Sequence, residues 1–245
     1  MKMNTYISPP FGNYIKYNDC IRIRGTYTWK RRPGLIKQCI KTIRPIKGGW
    51  INAIGFRNSG LCEIQNIYDN DIYSIAALYN NWLIFIDYIR NRPNTPKSIE
   101  INIGCPNVNS YSISHDEIGL FVKCVEDCLI KGLSVKLSTT AGQNLDYIKT
   151  LHELGIRKIH LSNTIPTDKG GLSGYPLKKV NLSIVENVIK LELEDTEIIA
   201  GGGIYTPQDV IDYKNVGATS FSLSTIWFTP WKVKPVLKEI CKGHI

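Results

Sequence analysis

Short apolar runs rich in β-branched residues recur along this chain, and amphipathic stretches separate them. The runs fall at 4–8, 20–24, 71–76, 99–103, 133–137, 156–161, 197–200 and 219–223. Alternation of strand and helix patterns is the mark of βα units around a parallel sheet. Eight such strands predict an α/β fold, a (β/α)8 or TIM barrel. The length agrees, at 245 residues against about 250 for a barrel formed as one domain. Nothing in the composition marks a linker or a further repeat, so residues 1–245 read as a single barrel domain.

Helical patterns cover 34–43, 116–131, 143–154, 180–191, 206–216 and 231–241. Residues 80–91 could be a strand on composition, but 71–76 just before them already reads as one, so a helix is expected. Thr206 followed by Pro207 suits an N-cap with proline at the first helical position. The first unit departs from the pattern. Only about a dozen residues join the first two strands, near the lower limit for a helical crossover. They include Gly12, Asn13, Asn18 and Asp19. A reduced first βα unit is therefore expected.

No run approaches the roughly 18 apolar residues of a membrane span, and Met1 to Tyr6 lack the apolar centre of a signal peptide. A cytoplasmic protein with no membrane contact is expected. The seven cysteines are scattered and odd in number, which reads as reduced thiols. Charge is uneven. Residues 1–50 carry eleven Lys or Arg against Asp19 alone, while the rest carries nineteen against twenty acids. The basic segment reads either as solvated surface or as attraction for an anionic substrate or nucleic acid.

Reacting groups of such barrels lie at the C-terminal ends of the strands. The fourth strand ends in Asn102-Ile103-Gly104-Cys105-Pro106-Asn107. Cys105 there could be a base, a nucleophile or an inert thiol; a thiol can be tuned to titrate near neutrality. Lys136 sits in the apolar fifth strand. Pointing inward, it needs an anionic partner or a function; otherwise it is a lysine at a solvent edge. Gly201-Gly202-Gly203 could cradle a phosphate through backbone N–H groups, or be a plain turn. The next strand ends in Ser224-Thr225, and barrel phosphate sites often use the loops after strands seven and eight. Asn52, Asn102, Asn107 and Asn163 offer the mixed donors and acceptors that a ring with alternating N–H and C=O groups requires.

Taken in order, these segments resemble the class 1 dihydroorotate dehydrogenases. The resemblance rests on Asn102-x-x-Cys105-Pro106-Asn107, Asn52-x-x-Gly55-x-x-Asn58, Val135-Lys136-Leu137, Asn163-Thr164, Gly170-Gly171-Leu172-Ser173-Gly174 and Gly202-Gly203-Ile204. It implies an FMN oxidoreductase of pyrimidine biosynthesis. Cys105 would remove the C5 proton of dihydroorotate while the C6 hydride passes to flavin N5. Asn52, Asn102, Asn107, Asn163 and Thr164 would hold the pyrimidine, and Lys136 would support the reduced flavin. Asn163, Gly171, Gly202, Gly203, Ser224 and Thr225 would hold FMN. A homodimer is typical of that family. One departure concerns Arg24, which stands nearest to the family's substrate- and flavin-contacting lysine. Arginine keeps the charge but not the shape. Two rival readings are a tRNA-dihydrouridine synthase, also an FMN barrel, and a catalytically weak FMN- or pyrimidine-binding barrel. The first is disfavoured because no C-terminal RNA-binding domain fits after residue 228. The electron acceptor is open between fumarate, nicotinamide through a partner subunit, and oxygen.

Overall fold

A computed structural model describes residues 3–92, 94–105 and 113–242, with the backbone alone at Asn80. Twelve strands follow in chain order. They are β1 (Asn4–Ile7), β2 (Cys20–Tyr27), β3 (Arg44–Ile46), β4 (Gly49–Asn52), β5 (Ile72–Ile75), β6 (Ser98–Asn102), β7 (Gly132–Leu137), β8 (Lys158–Leu161), β9 (Ile165–Thr167), β10 (Gly170–Gly174), β11 (Glu197–Gly201) and β12 (Ser220–Leu223). The helices are α1 (Leu35–Thr42), α2 (Leu83–Asn91), α3 (His115–Asp127), α4 (Thr139–Gln143), α5 (Leu145–Glu153), α6 (Lys178–Ile189), α7 (Pro207–Asn215) and α8 (Val233–Cys241).

Eight strands close into a barrel in the order β1-β12-β11-β8-β7-β6-β5-β2, and each neighbouring pair is parallel. These are the eight strands read from the sequence, and the fold is a TIM barrel. The first unit is reduced as expected: one 3-10 turn, Phe11–Asn13, joins β1 to β2.

Alternation along the strands sorts the side chains into two sets. Ile99 and Ile101 of β6, Val135 and Leu137 of β7, and Ile159 and Leu161 of β8 join the large apolar layer under the helices. Inside the barrel, Tyr6, Ile23, Ile72 and Ile199 form a small separate cluster. The stretch 80–91 is helical from Leu83, because Phe85, Ile86, Tyr88 and Ile89 bury at helical spacing. Helix α7 begins as the sequence predicts. Thr206 Oγ1 accepts from the Asp209 amide, and the Asp209 carboxylate accepts from the Thr206 amide, a reciprocal capping box.

A second sheet, β3-β4-β10-β9, has no counterpart in the sequence reading. It is antiparallel, and β4 pairs with β10 so that Asn52 stands opposite Gly171. Among the described residues no helix is long and apolar enough to cross a membrane.

Candidate active site

The C-terminal ends of the barrel strands open on a cleft of about 1010 Å³, lined among others by Asn52, Asn102, Cys105, Lys136, Asn163 and Thr164. A side cavity of about 100 Å³ shares Lys136, Asn163, Thr164, Ser224 and Thr225 with it and adds Ser8, Gly174, Gly202 and Gly203. The structure thus gathers into one place residues that lie more than 170 positions apart in the chain. Asn107 lies outside the described residues.

Cys105 is half-buried. Its position depends on Gly104, where a Cβ would lie 2.2 Å from the Ser138 nitrogen and 2.5 Å from the Leu137 carbonyl carbon. Only a residue without a side chain lets the Cys105 loop lie against the end of β7. Asn102, the last residue of β6, is buried. Its Nδ2 donates to Thr26 Oγ1 at 2.9 Å, and its Oδ1 accepts from the Gly104 amide at 3.2 Å and from Asn163 Nδ2 at 3.3 Å. Thr26 Oγ1 lies 3.0 Å from Ser74 Oγ. This chain of hydrogen bonds ties β2, β5, β6 and the loop after β8 into one rigid wall.

Lys136 points into the barrel and is 8% exposed. Burial pushes its ammonium toward the neutral form, while Glu100 and Cys105 pull the other way; the net direction is down. Glu100 and His160 share this interior and have no exposed side-chain surface. They are in hydrogen-bond contact at 2.7 Å, His160 Nδ1 to Glu100 Oε2. The sequence reading passed over both. Their signal was the alternation Ile99-Glu100-Ile101-Asn102, which puts Glu100 on the inward face with Asn102.

The glycine turn after β11 is held from behind. Asn181 Nδ2 donates to the Gly201 carbonyl at 2.8 Å, and the Tyr213 hydroxyl donates to the carbonyls of Gly201 and Gly202 at 2.9 and 2.8 Å. Gly202 has φ +93°, and a Cβ there would meet Asn181 Nδ2 at 2.2 Å. The Gly202 and Gly203 amides donate to no described residue, although both residues line the small cavity. Orphan amide donors beside Ser224 and Thr225 are chemically suited to a phosphate group. The buried cation at the junction of the two cavities suits an anionic ring system. The residues present therefore fit a phosphorylated flavin.

Two predicted contacts are placed differently. Gly171 lines neither cavity; it is buried in β10 opposite Asn52, and Gly174 at the end of that strand faces the small cavity instead. The shift arises because 170–174 is a strand of the small sheet rather than a loop. Arg24 contributes to the cleft lining, but its guanidinium lies 3.7 Å from Asp71 and 5.1 Å from the centre of the Tyr68 ring. Ile23 fills the interior cluster, so Arg24 leaves β2 on the opposite side. Other cations reach the cleft: Arg31, Arg32, Lys37 and Arg57 line it.

A closed parallel barrel with a polar cleft at the C-terminal strand ends, a buried lysine and a phosphate-sized annex defines a TIM-barrel enzyme. A family model described as dihydroorotate dehydrogenase matches residues 19–243, and the chain belongs to that family of oxidoreductases acting on CH–CH groups. Among its relatives is the dihydroorotate dehydrogenase B (NAD(+)) catalytic subunit of Staphylococcus carnosus. It is 31% identical over 226 residues, covering 78% of this chain and 71% of that one. The protein of the same description from Shouchella clausii is 27% identical over 223 residues, covering 79% and 72%. The ligand-free dihydroorotate dehydrogenase of Eimeria tenella superposes with a TM-score of 0.69 at 18% identity, covering 96% of this chain and 82% of that one. That likeness is one of fold.

Proposed function

We propose that this barrel catalyses FMN-dependent oxidation of dihydroorotate, or a close dihydropyrimidine, to orotate in pyrimidine biosynthesis, with Cys105 as the base. The observation that carries the reading is the convergence of Cys105, Lys136 and three asparagines on one cleft. Asn52, Asn102 and Asn163, with Thr164, present donors and acceptors to the ring of the pyrimidine, and Asn107 joins them in this reading. Cys105 takes the proton from C5. Lys136 and Arg32 both lie within electrostatic reach of its thiol, and neighbouring cations favour a thiolate. FMN, when bound, supplies the two-electron acceptor for the C6 hydride. Gly202, Gly203, Gly174, Ser224 and Thr225 hold its phosphate, and Lys136 with Asn163 faces its ring. Lys136, fixed in a water-poor site, offsets negative charge there at little reorganisation cost.

The same reading takes residues 1–245 as one FMN-binding domain acting in the cytoplasm on a small anionic substrate. The relatives' description as NAD(+)-type catalytic subunits supports electron passage to a second subunit. The test is anaerobic addition of dihydroorotate to the FMN-loaded protein. Bleaching of the oxidised flavin band is expected, followed by reoxidation with one of fumarate, oxygen, or nicotinamide plus a partner subunit. A flavin band that stays unbleached defeats the reading.

A further inference from the structure

Lys136 carries its charge inside a protein wall, and an uncompensated buried charge is expensive. Among the described residues no carboxylate lies within ion-pair distance of its ammonium. The anion nearest in the architecture is Glu100. Asn102 of β6 is the register partner of Lys136, and Lys136 is the register partner of His160 on β8. Glu100 lies two residues before Asn102, hence on the same inward face. Its carboxylate reaches past β7 to His160 and touches it at 2.7 Å. Its second oxygen, Oε1, is buried and makes no close hydrogen bond, although the Ser74 hydroxyl of β5 is near enough to act on the carboxylate. One half of the carboxylate is thus clamped and the other half is left unneutralised inside the barrel that holds Lys136.

We propose that Glu100, clamped by a neutral His160, is a positioning residue whose carboxylate is the fixed counter-charge that keeps Lys136 a cation at the floor of the cleft. The inference rests on the reading of Lys136 as the charge that faces FMN.

The protonation states agree. Burial raises Glu100, but His160, then Lys136 and the Ser74 hydroxyl, more than offset it, so its carboxyl lies below the usual range and is ionised. Burial and Lys136 together push His160 below its ordinary value. His160 therefore donates Nδ1–H as a neutral imidazole and adds no charge of its own, which leaves one anion for one cation. A charged His160 would cancel Glu100 and strand Lys136. The other titratable group acting on Lys136 is Cys105; the phenol of Tyr6, from β1, acts on the Glu100 side.

The test is the titration of the Lys136 side chain by heteronuclear NMR of the full chain without FMN, its resonance assigned with Lys136→Met. Glu100→Gln keeps the shape and an acceptor for His160 while removing the charge. Its Lys136 midpoint should fall by at least about one pH unit, a tenfold shift in the protonation equilibrium. The pH above which FMN affinity declines should fall with it. A Lys136 midpoint that stays within about 0.3 unit overturns the proposal. Should Glu100→Gln fail to fold, the wild-type imidazole nitrogens decide. A neutral Nδ1–H tautomer of His160 at pH 7 is expected, and an imidazolium overturns the proposal. A chain that takes up no FMN would defeat the functional reading yet leave both titrations to be read.

Discussion

Gly104 and Ser138 are in a backbone contact that leaves no room for a side chain: a Cβ on Gly104 would stand 2.2 Å from the Ser138 nitrogen. That contact seats the Cys105 loop on the end of β7, one residue beyond the strand that carries Lys136. Cys105 and Lys136 are therefore held by the same junction.

Replacing Gly104 by Ala forces the Cys105 loop off β7, since backbone cannot move aside as a flexible side chain can. Overpacking of this kind costs about 1–3 kcal/mol. A lower midpoint in urea unfolding, together with loss of flavin reduction, is expected. An alanine variant of unchanged stability and activity would show that the loop has slack.

Cys105→Ser exchanges a thiol for an alcohol that is a far poorer base at neutral pH. Flavin reduction by dihydroorotate in stopped flow should slow at least about 100-fold at pH 7, the low end of general-base contributions. The deficit should narrow as pH rises. Equal rates at pH 7 would remove Cys105 from the base role.

Lys136→Ala deletes the cation at the junction of the two cavities. Weaker FMN retention on gel filtration is therefore expected, with slower flavin reduction. A stable yellow variant reduced at the wild-type rate would refute the assignment.

At the other end of the barrel, Glu197 Oε1 accepts from Asn4 Nδ2, the Tyr6 hydroxyl and Ser220 Oγ at 2.9, 2.7 and 2.6 Å. Burial would raise its pKa, but these three donors and Lys158 outweigh it and hold the carboxyl below its ordinary 4.5. A depressed folded-state pKa means that its stabilisation is complete above the unfolded value. It is lost as pH falls through the folded one. Stability should therefore drop as pH falls below about 4.5, and Glu197→Gln should flatten that part of the profile. Hydrogen bonds to a charged group contribute about 1.5–3 kcal/mol each, so the variant should also unfold at lower urea at pH 7. An unaltered acid limb in urea melts across pH 3–6 would assign the acid sensitivity elsewhere.

Salt should weaken substrate capture. Arg31, Arg32, Lys37 and Arg57 line the cleft, Arg31 and Lys37 exposed, and exposed charges are screened as the Debye length falls from about 10 Å at 0.1 M to about 3 Å at 1 M salt. KM for dihydroorotate should rise at least about threefold across that range, with kcat nearly constant. A KM indifferent to salt would remove steering by the basic segment.

Much of this molecule was legible in the chain. The eight barrel strands, the reduced first crossover and the capped start of α7 follow from local periodicity, because each is decided by residues a few positions apart. Cys105, Lys136 and Asn102 were visible for the same reason: each is the odd polar group at the end of an apolar run. The small sheet was not visible. Strands of three to five residues containing Pro45, Pro166 or four glycines and serines carry no strand signal, and β4 finds β10 only across more than a hundred residues of intervening chain. That pairing moved Gly171 away from the phosphate-sized cavity and put Gly174 there. Alternation along β2 turned the Arg24 guanidinium toward Asp71 and Tyr68, a choice of side that depends on which face the barrel closes around. The Glu100–His160 contact needed closure most of all. It spans β6 to β8 across the strand bearing Lys136, and only when the barrel shuts out water does a carboxylate next to an imidazole become a fixed charge.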